Sequence, residues 1–373
     1  MRFRSTGNRK STTNRDGVLR RPIPEPGHLW MPIELNTVQW PESGRDAGTF
    51  ISHVVRIFFG TEIAPETFQP IDLTQHDERT HVLNLHRGPT QSFKDVGCTA
   101  AARIQTEGRV VVATSGDTGS AAAHAFGPRV LVLYPTGRIS SYQEKQMLDS
   151  EAAVCAVEGD FDDCQGIAKQ IIRQGGIGSC NSISLARLLP QIGYFAWAAF
   201  RCPDATFIIP SGNLGNATAC VMARRMGAPV GDVVVACNEN GRALYDHVVG
   251  GCAYEPSRTV ATPSSAMDVG YPSNLVRLWY LGMKNVHVRV VSCDRVTTTS
   301  SLGGEKVCPH TAVGLTVAEK WPGNVVVVRT ADAIKFEGGQ KSLNPFRVSK
   351  QLQPAATEDA PLLKSRFDAW KRL

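Results

Sequence analysis

The chain has 373 residues, 42% apolar and 20% charged, the balance of an ordinary globular protein long enough for two compact lobes. No apolar run approaches the roughly 18–20 residues of a membrane-spanning helix, and the net charge of +6 is too mild and too mixed for a nucleic-acid track. The ten cysteines include no CxxC pair, so neither a metal site nor a thioredoxin-type centre is expected, and reduced thiols in a cytoplasmic compartment are the default.

In chain order, the first 21 residues set Arg2, Arg4, Arg9, Lys10, Arg15, Arg20 and Arg21 against Asp16 alone. A basic start of this kind suits an organelle transit segment or a nucleic-acid arm. It lacks the apolar centre of a secretory signal, and a solvated extension is the plainer expectation. Short β-branched runs then alternate with helical patterns. Strands are predicted at 109–114, 129–134, 206–210, 232–237, 287–292 and 324–329, and helices at 118–126, 141–149, 161–174, 184–199, 215–226 and 311–320. Nearly continuous apolar strands suit a parallel sheet covered on both faces, and repeated β-then-α order an α/β architecture. RCPDA (201–205) reads as a crossing between lobes. Everything after Asn344-Pro345 reads as a tail with one short helix.

Three turns carry the chemistry. GPTQSFKDVG (88–97) places Lys94 where a turn feeds a helical stretch. TSGDTGSAA follows the strand at 109–114, and PSGNLGNATA follows the one at 206–210. Both set glycines and small polar residues where the first N–H groups of a helix have no internal partner, an arrangement that holds anions. The same residues also serve simply as caps and turns. Neither turn has GxGxxG spacing and no GxxxxGK[ST] occurs, which removes the main support for nicotinamide or P-loop nucleotides. A further segment, RTADAIKF (329–336), ends its strand with the hydroxyl of Thr330. Ligands of open α/β sheets gather at the carboxyl ends of strands. A lysine, two anion cradles and a neutral hydroxyl in one crevice are the inventory for pyridoxal 5′-phosphate. The lysine forms an imine with the aldehyde, amides hold the phosphate, the hydroxyl meets the ring nitrogen, and the second cradle takes an amino-acid carboxylate.

The segments NLHRGPTQSFKD, VVATSGDTGSAAAHAF, VLYPTGRISSYQEKQM, VEGDFDDCQGIAKQ, NSISLARLLPQIGYF, FIIPSGNLGNATAC, SSAMDVGYPSN and CPHTAVG run in order from about residue 84 to 336. With them the chain resembles the threonine synthases, in the branch found in enteric bacteria and yeast. The resemblance implies the type II fold of pyridoxal-phosphate enzymes: two open, twisted, mostly parallel sheets flanked by helices, with the active site in the cleft between lobes. It implies an N-terminal extension and part of the large lobe at 1–83, the smaller lobe at 84–204, the large lobe at 205–345 and a tail at 346–373.

By the same resemblance Lys94 carries the cofactor covalently. Gly212, Asn213, Leu214, Gly215 and Asn216 bind its phosphate, Asp117 lies near its phenolic oxygen, and Thr330 faces its pyridine nitrogen. Ser115, Gly116, Thr118 and Gly119 take the substrate carboxylate. The implied reaction converts O-phospho-L-homoserine and water to L-threonine and phosphate by γ-elimination and β-addition of water, with Lys94 moving the protons. A phosphate dianion calls for arginine, and Arg138 and Arg187 are the candidates, with Ser141, Asn181 and Ser182 as helpers. The partner is a small molecule, not nucleic acid or membrane, acting on a monomer or homodimer.

The chain departs from the pattern at Arg87, where the family has His, and at Asp332-Ala333, where it has His-Pro. The span from Arg277 to Cys308 and the C-terminus are short. Asp332 either turns to solvent or adds negative charge near the cofactor. Two other functions stay open: a phospho-lyase giving 2-oxobutyrate or acting on a related phosphorylated amino acid, and a non-catalytic binding module of the same fold. His310 and Cys98 are read as structural.

Overall fold

The computed structural model describes residues 1–8, 10–174, 177–292 and 301–337, and the backbone of 347–348. The six valine- and isoleucine-rich runs form strands within two residues of their predicted limits: Arg109–Ala113, Val130–Pro135, Thr206–Pro210, Val233–Cys237, Val286–Val290 and Val325–Arg329. They divide between two sheets. One has the order Val286–Val290, Val233–Cys237, Thr206–Pro210, Val325–Arg329, Thr80–Asn84, Asp72–Gln75, parallel except for the last, antiparallel pair. The other is parallel throughout, in the order Arg347–Val348, Ala153–Val157, Val130–Pro135, Arg109–Ala113, Ile177–Ser179. Every residue of Thr206–Pro210, Val233–Cys237 and Val325–Arg329 is buried, because helices cover both faces of these central strands. This is the type II fold.

The predicted helices form too, with one interruption. The stretch at 184–199 is two helices, Leu185–Leu188 and Gln191–Arg201, separated at Pro190, which has no N–H for the ladder. Asp160 starts Phe161–Arg173 by accepting from Asp162 and Asp163 N–H at 2.9 and 3.1 Å, and the Asp163 carboxylate accepts from Asp160 N–H in return.

The N-terminus corrects the expectation of a solvated extension. Arg2–Ser5, Thr12–Asn14 and Trp30–Pro32 form an antiparallel sheet. Phe3 and Met31 are fully buried, and Phe3 stacks on Phe59 with ring centres 6.5 Å apart. Burying a ring of that size is worth about 1.5–3 kcal/mol, enough to hold the segment whatever its surface charge. At the other end, 347–348 pair in parallel with Ala153–Val157 and form the edge of the five-stranded sheet. The predicted tail helix lies outside the described residues. Among the described residues no helix is long and apolar enough to cross a membrane.

The strand ends set up the site. Arg109–Ala113 runs into the turn before helix Asp117–Phe126, Thr206–Pro210 into the turn before helix Gly215–Arg225, and Val325–Arg329 into Thr330. Phe93 N–H donates to Thr330 O at 2.8 Å and Asp332 N–H to Gln91 O at 3.0 Å, with a bridge between Ser92 and Ala331. The turn before Lys94 is thereby fastened to the end of a central strand.

Candidate active site

These three strand ends and the Lys94 helix line one cavity. Its walls include Lys94, Ser115, Asp117, Thr118, Asn181, Ser182, Arg187, Gly212, Asn213, Leu214, Gly215, Asn216, His310 and Thr330. Lys94 is the first residue of helix Lys94–Ile104, and its side chain is only 12% exposed. Its Nζ lies 3.4 Å from Asp117 Oδ2 and 4.5 Å from the centre of the Phe93 ring. Burial lowers its proton affinity below that of an ordinary lysine. Asp117 opposes this, while the positive charges of Arg187 and Lys335 reinforce it. A neutral amine is therefore within reach, as a nucleophile or base requires.

Asp117 opens helix Asp117–Phe126 and is 2% exposed. Burial alone would raise its pKa, but Lys335, Lys94, His310 and a 2.8 Å hydrogen bond from Gln143 outweigh it and hold the carboxyl well below the usual range. Lys335 escaped the sequence reading. It is fully buried on the short 3-10 helix Ala333–Phe336, with Nζ 3.0 Å from Asp117 Oδ1 and a second bond to Thr90 O. The available signal was a lysine between Ile334 and Phe336, just past Thr330.

The SGNLG turn is a backbone cradle. Leu214 has φ 59°, and Gly212, two residues ahead of it, has no room for a side chain: a Cβ there would sit 2.8 Å from Met267 Cα and 2.9 Å from Ala266 O. A Cβ on Gly215 would stand 2.9 Å from Ser182 Cβ. Asn213 donates to Ser182 Oγ at 3.2 Å and accepts from Ser273 N–H. Asn274 ties Ser182 Oγ to Asn213 O, at 2.9 Å each. Asn216 donates to Gln191 Oε1 at 2.8 Å and to the Tyr194 hydroxyl, leaving its own Oδ1 buried without a partner.

The TSGDTG turn is used differently. Thr114 Oγ1 accepts from Gly116 N–H at 2.9 Å and Gly119 N–H at 2.8 Å, so those two amides are already committed, and neither glycine is part of the cavity wall. Ser115 and Thr118 do face the cavity. Of the two arginine candidates, Arg187 lines it. It is 4% exposed and donates to Cys180 O at 2.7 Å and Thr118 Oγ1 at 3.2 Å; its Nε has no partner, and it forms no ion pair among the described residues. Arg138 is exposed and outside the cavity wall, on the side of Asp268. Ser141 begins a helix outside it as well. Asn181 lies on the wall, but its amide is occupied at both ends by the Ala113 backbone, at 3.0 and 2.6 Å.

Thr330 is 5% exposed, and the nearest partner of its hydroxyl is the weakly bonding Cys308 Sγ at 3.5 Å. His310, read as structural, is on the cavity wall. Its Nε2 accepts from Ala266 N–H at 3.0 Å, which leaves the proton of the neutral ring on Nδ1, where no partner meets it. Burial lowers its pKa to about 4. Cys98 is fully buried and contacts Cys180, Sγ to Sγ 3.5 Å. The two departures from the family pattern are peripheral: Arg87 pairs with Asp72 at 2.8 Å on the surface, and Asp332 caps the Ala333–Phe336 turn by accepting from Ile334 N–H at 3.0 Å.

The residues present fit pyridoxal phosphate. A desolvated amine, a helix start with close-packed glycines and no acid, a hydroxyl without a strong partner and an unpaired buried guanidinium share one cavity. Residues 74–331 match the family described as pyridoxal-phosphate dependent enzyme. The chain is 31% identical to the threonine synthase of Escherichia coli over 371 residues, 87% of this chain and 86% of that protein. It is 38% identical to the threonine synthase of Eremothecium gossypii over 251 residues, 58% of this chain, and so spans about half (49%) of that relative's length. The crystal structure of the Escherichia coli threonine synthase superposes with TM-score 0.86 at 26% identity, covering 99% of this chain and all of that one. The structure of the pyridoxal-phosphate-bound threonine synthase from Brucella melitensis gives TM-score 0.84 at 26% identity, covering both chains fully. The chain belongs to the pyridoxal-phosphate dependent enzymes and, among them, to the threonine synthase family, with pyridoxal 5′-phosphate as its cofactor.

Proposed function

We propose that this protein converts O-phospho-L-homoserine and water to L-threonine and phosphate. The observation that carries the reading is Arg187: a buried guanidinium without a counter-anion among the described residues, in the same cavity as the desolvated Lys94 and a separate anion cradle at 212–216. Two anion-binding ends around one amine suit a phosphorylated cofactor and a phosphorylated substrate together. When bound, the cofactor supplies an electron sink that makes the substrate's C–H bonds acidic. In this reading the Gly212–Asn216 amides hold the cofactor phosphate and Thr330 Oγ1 meets the ring nitrogen. Ser115 and Thr118 orient the substrate carboxylate. Arg187 binds the substrate phosphate as a fork and favours its departure as an anion. Lys94, its proton affinity lowered by burial, takes protons from the substrate's α- and β-carbons and returns them to the α-carbon and to the γ-carbon, which becomes the methyl group, while water gives its hydroxyl to the β-carbon and its other proton to the departing phosphate. The nine described cysteines are all free, in keeping with a cytoplasmic enzyme.

The test is to incubate the purified protein with O-phospho-L-homoserine, follow released phosphate and identify the carbon product, with Lys94→Ala as control. Threonine and phosphate in equal amounts, both lost in the control, are expected. Phosphate with 2-oxobutyrate and no threonine would make the protein a phospho-lyase. No phosphate from any phosphorylated amino acid would make it a binding module.

A further inference from the structure

We propose that Lys335 is the permanent counter-ion of Asp117 and the positioning residue that keeps Lys94 weakly basic; this rests on the reading of Lys94 as the cofactor-bearing amine. Two lysines share the Asp117 carboxylate, one on each oxygen: Lys94 at 3.4 Å from Oδ2 and Lys335 at 3.0 Å from Oδ1. They are not equivalent. Lys94 lines the cavity, and its nitrogen gives up its charge whenever it serves as nucleophile or base. Lys335 is fully buried outside the cavity wall, and Thr90 O holds its ammonium.

A buried carboxylate that loses its only partner is strongly destabilised or takes up a proton. With Lys94 alone beside it, Asp117 would meet that conflict in every turnover. Lys335 removes it. The surroundings are built to keep Lys335 there: its carbonyl accepts from Ser140 Oγ, Ser140 N–H donates to Gln143 Oε1 at 3.1 Å, and Gln143 Nε2 donates to Asp117 Oδ1 at 2.8 Å. Asp117, Lys335, Ser140 and Gln143 thus form a closed ring of polar contacts behind the cavity.

The second consequence concerns Lys94. The charged groups acting on it are Asp117, Arg187 and Lys335, from three different elements, with His310 close to Asp117 but neutral near pH 7. Asp117 by itself would hold a proton on Lys94. Lys335 and Arg187 push the other way, and only Lys335 also neutralises Asp117.

The experiment is a pH titration of the bound cofactor's visible absorption in the holoenzyme, for the wild type, Lys335→Met, Asp117→Asn and the double variant, with the acid limb of kcat as a second readout. A neighbouring charge moves a pKa by about 1–3 units, so Lys335→Met should raise the midpoint by about that much and Asp117→Asn should lower it. The double variant should return close to the wild type. Lys335→Met with an unchanged midpoint overturns the proposal. If Lys335→Met does not fold, the double variant, which strands no charge, is expected to fold and hold cofactor; its failure too would mean that the lysine serves packing, and overturns the proposal. Wild-type protein that stays colourless with the cofactor supplied would strike at the reading of Lys94 itself, and an unshifted but coloured Lys335→Met at Lys335 alone.

Discussion

The turns at 115–119 and 212–216 each follow a parallel strand and start a helix, so each begins with N–H groups that lack a partner within the helix. In the first, Thr114 Oγ1 already occupies Gly116 and Gly119 N–H, and Asp117 sets a carboxylate at the first helical position. The positive end of that helix dipole is answered from within, and the acid in turn needs two lysines. The second turn has no acid in its first helical turn, and the side chains of Asn213 and Asn216 are engaged with their neighbours. It can hold a dianion with amides alone. At the first turn Ser115 and Thr118 face the cavity, and Arg187 donates to Thr118 Oγ1 at 3.2 Å. One internal charge, more than the number of glycines, separates the two.

The sharpest way to break this contrast is to give the second turn the first one's charge. Asn213→Asp keeps the oxygen that accepts from Ser273 N–H but puts an anion in the cradle. Unit charges about 4 Å apart repel by about 4 kcal/mol at an effective dielectric of ~20, so cofactor affinity should fall by about 10²–10³-fold. An unchanged dissociation constant in an absorbance titration would move the cofactor phosphate away from this turn.

Arg187→Met tests the other side. A charge-assisted hydrogen bond is worth about 1.5–3 kcal/mol, so kcat/KM for a phosphorylated substrate should fall by about 10–100-fold, mostly through KM. Cofactor affinity should hardly change. A loss of cofactor affinity in place of the KM effect would assign the arginine to the second turn's ligand.

A smaller effect concerns pH. His86 and His310 are both held at about 4, chiefly by burial, against an ordinary value of 6.5. Between those values the unfolded chain binds more protons than the folded one, so stability falls as pH drops from about 6.5 towards 4 and is fully present above that window. The thermal midpoint at pH 5 should lie below that at pH 7.5, and the gap should narrow in His86→Gln, which is away from the cavity wall. Equal midpoints at the two pH values would show that neither histidine pays a burial penalty for its proton.

The smallest effects belong to the positions that depart from the family pattern. Asp332→Ala loses a cap worth about 1 kcal/mol, and Arg87→Ala a half-exposed ion pair worth about 0–1 kcal/mol. Urea unfolding should register the first and scarcely the second, with KM unchanged in both. A raised KM in Asp332→Ala would bring that carboxylate into the site after all.

What the sequence determined by itself is local. Runs such as RVVVAT and TFIIP are too apolar for any place except the middle of a covered sheet, and PSGNLG can only turn a strand into a helix, because glycine placement and apolar periodicity act over a few residues. That was enough to draw Lys94, the SGNLG cradle and Thr330 towards one crevice. The tertiary structure decided which charges meet. It packed Phe3 and Met31 into the core despite seven basic neighbours, because burial of an apolar side chain outweighs charges that can stay in water. It put Arg187 on the cavity wall and left Arg138 outside. It also brought Lys335 across the fold to Asp117. An electrostatic contact depends on distance in space, and no spacing along the chain encodes where a residue more than two hundred positions away will come to rest.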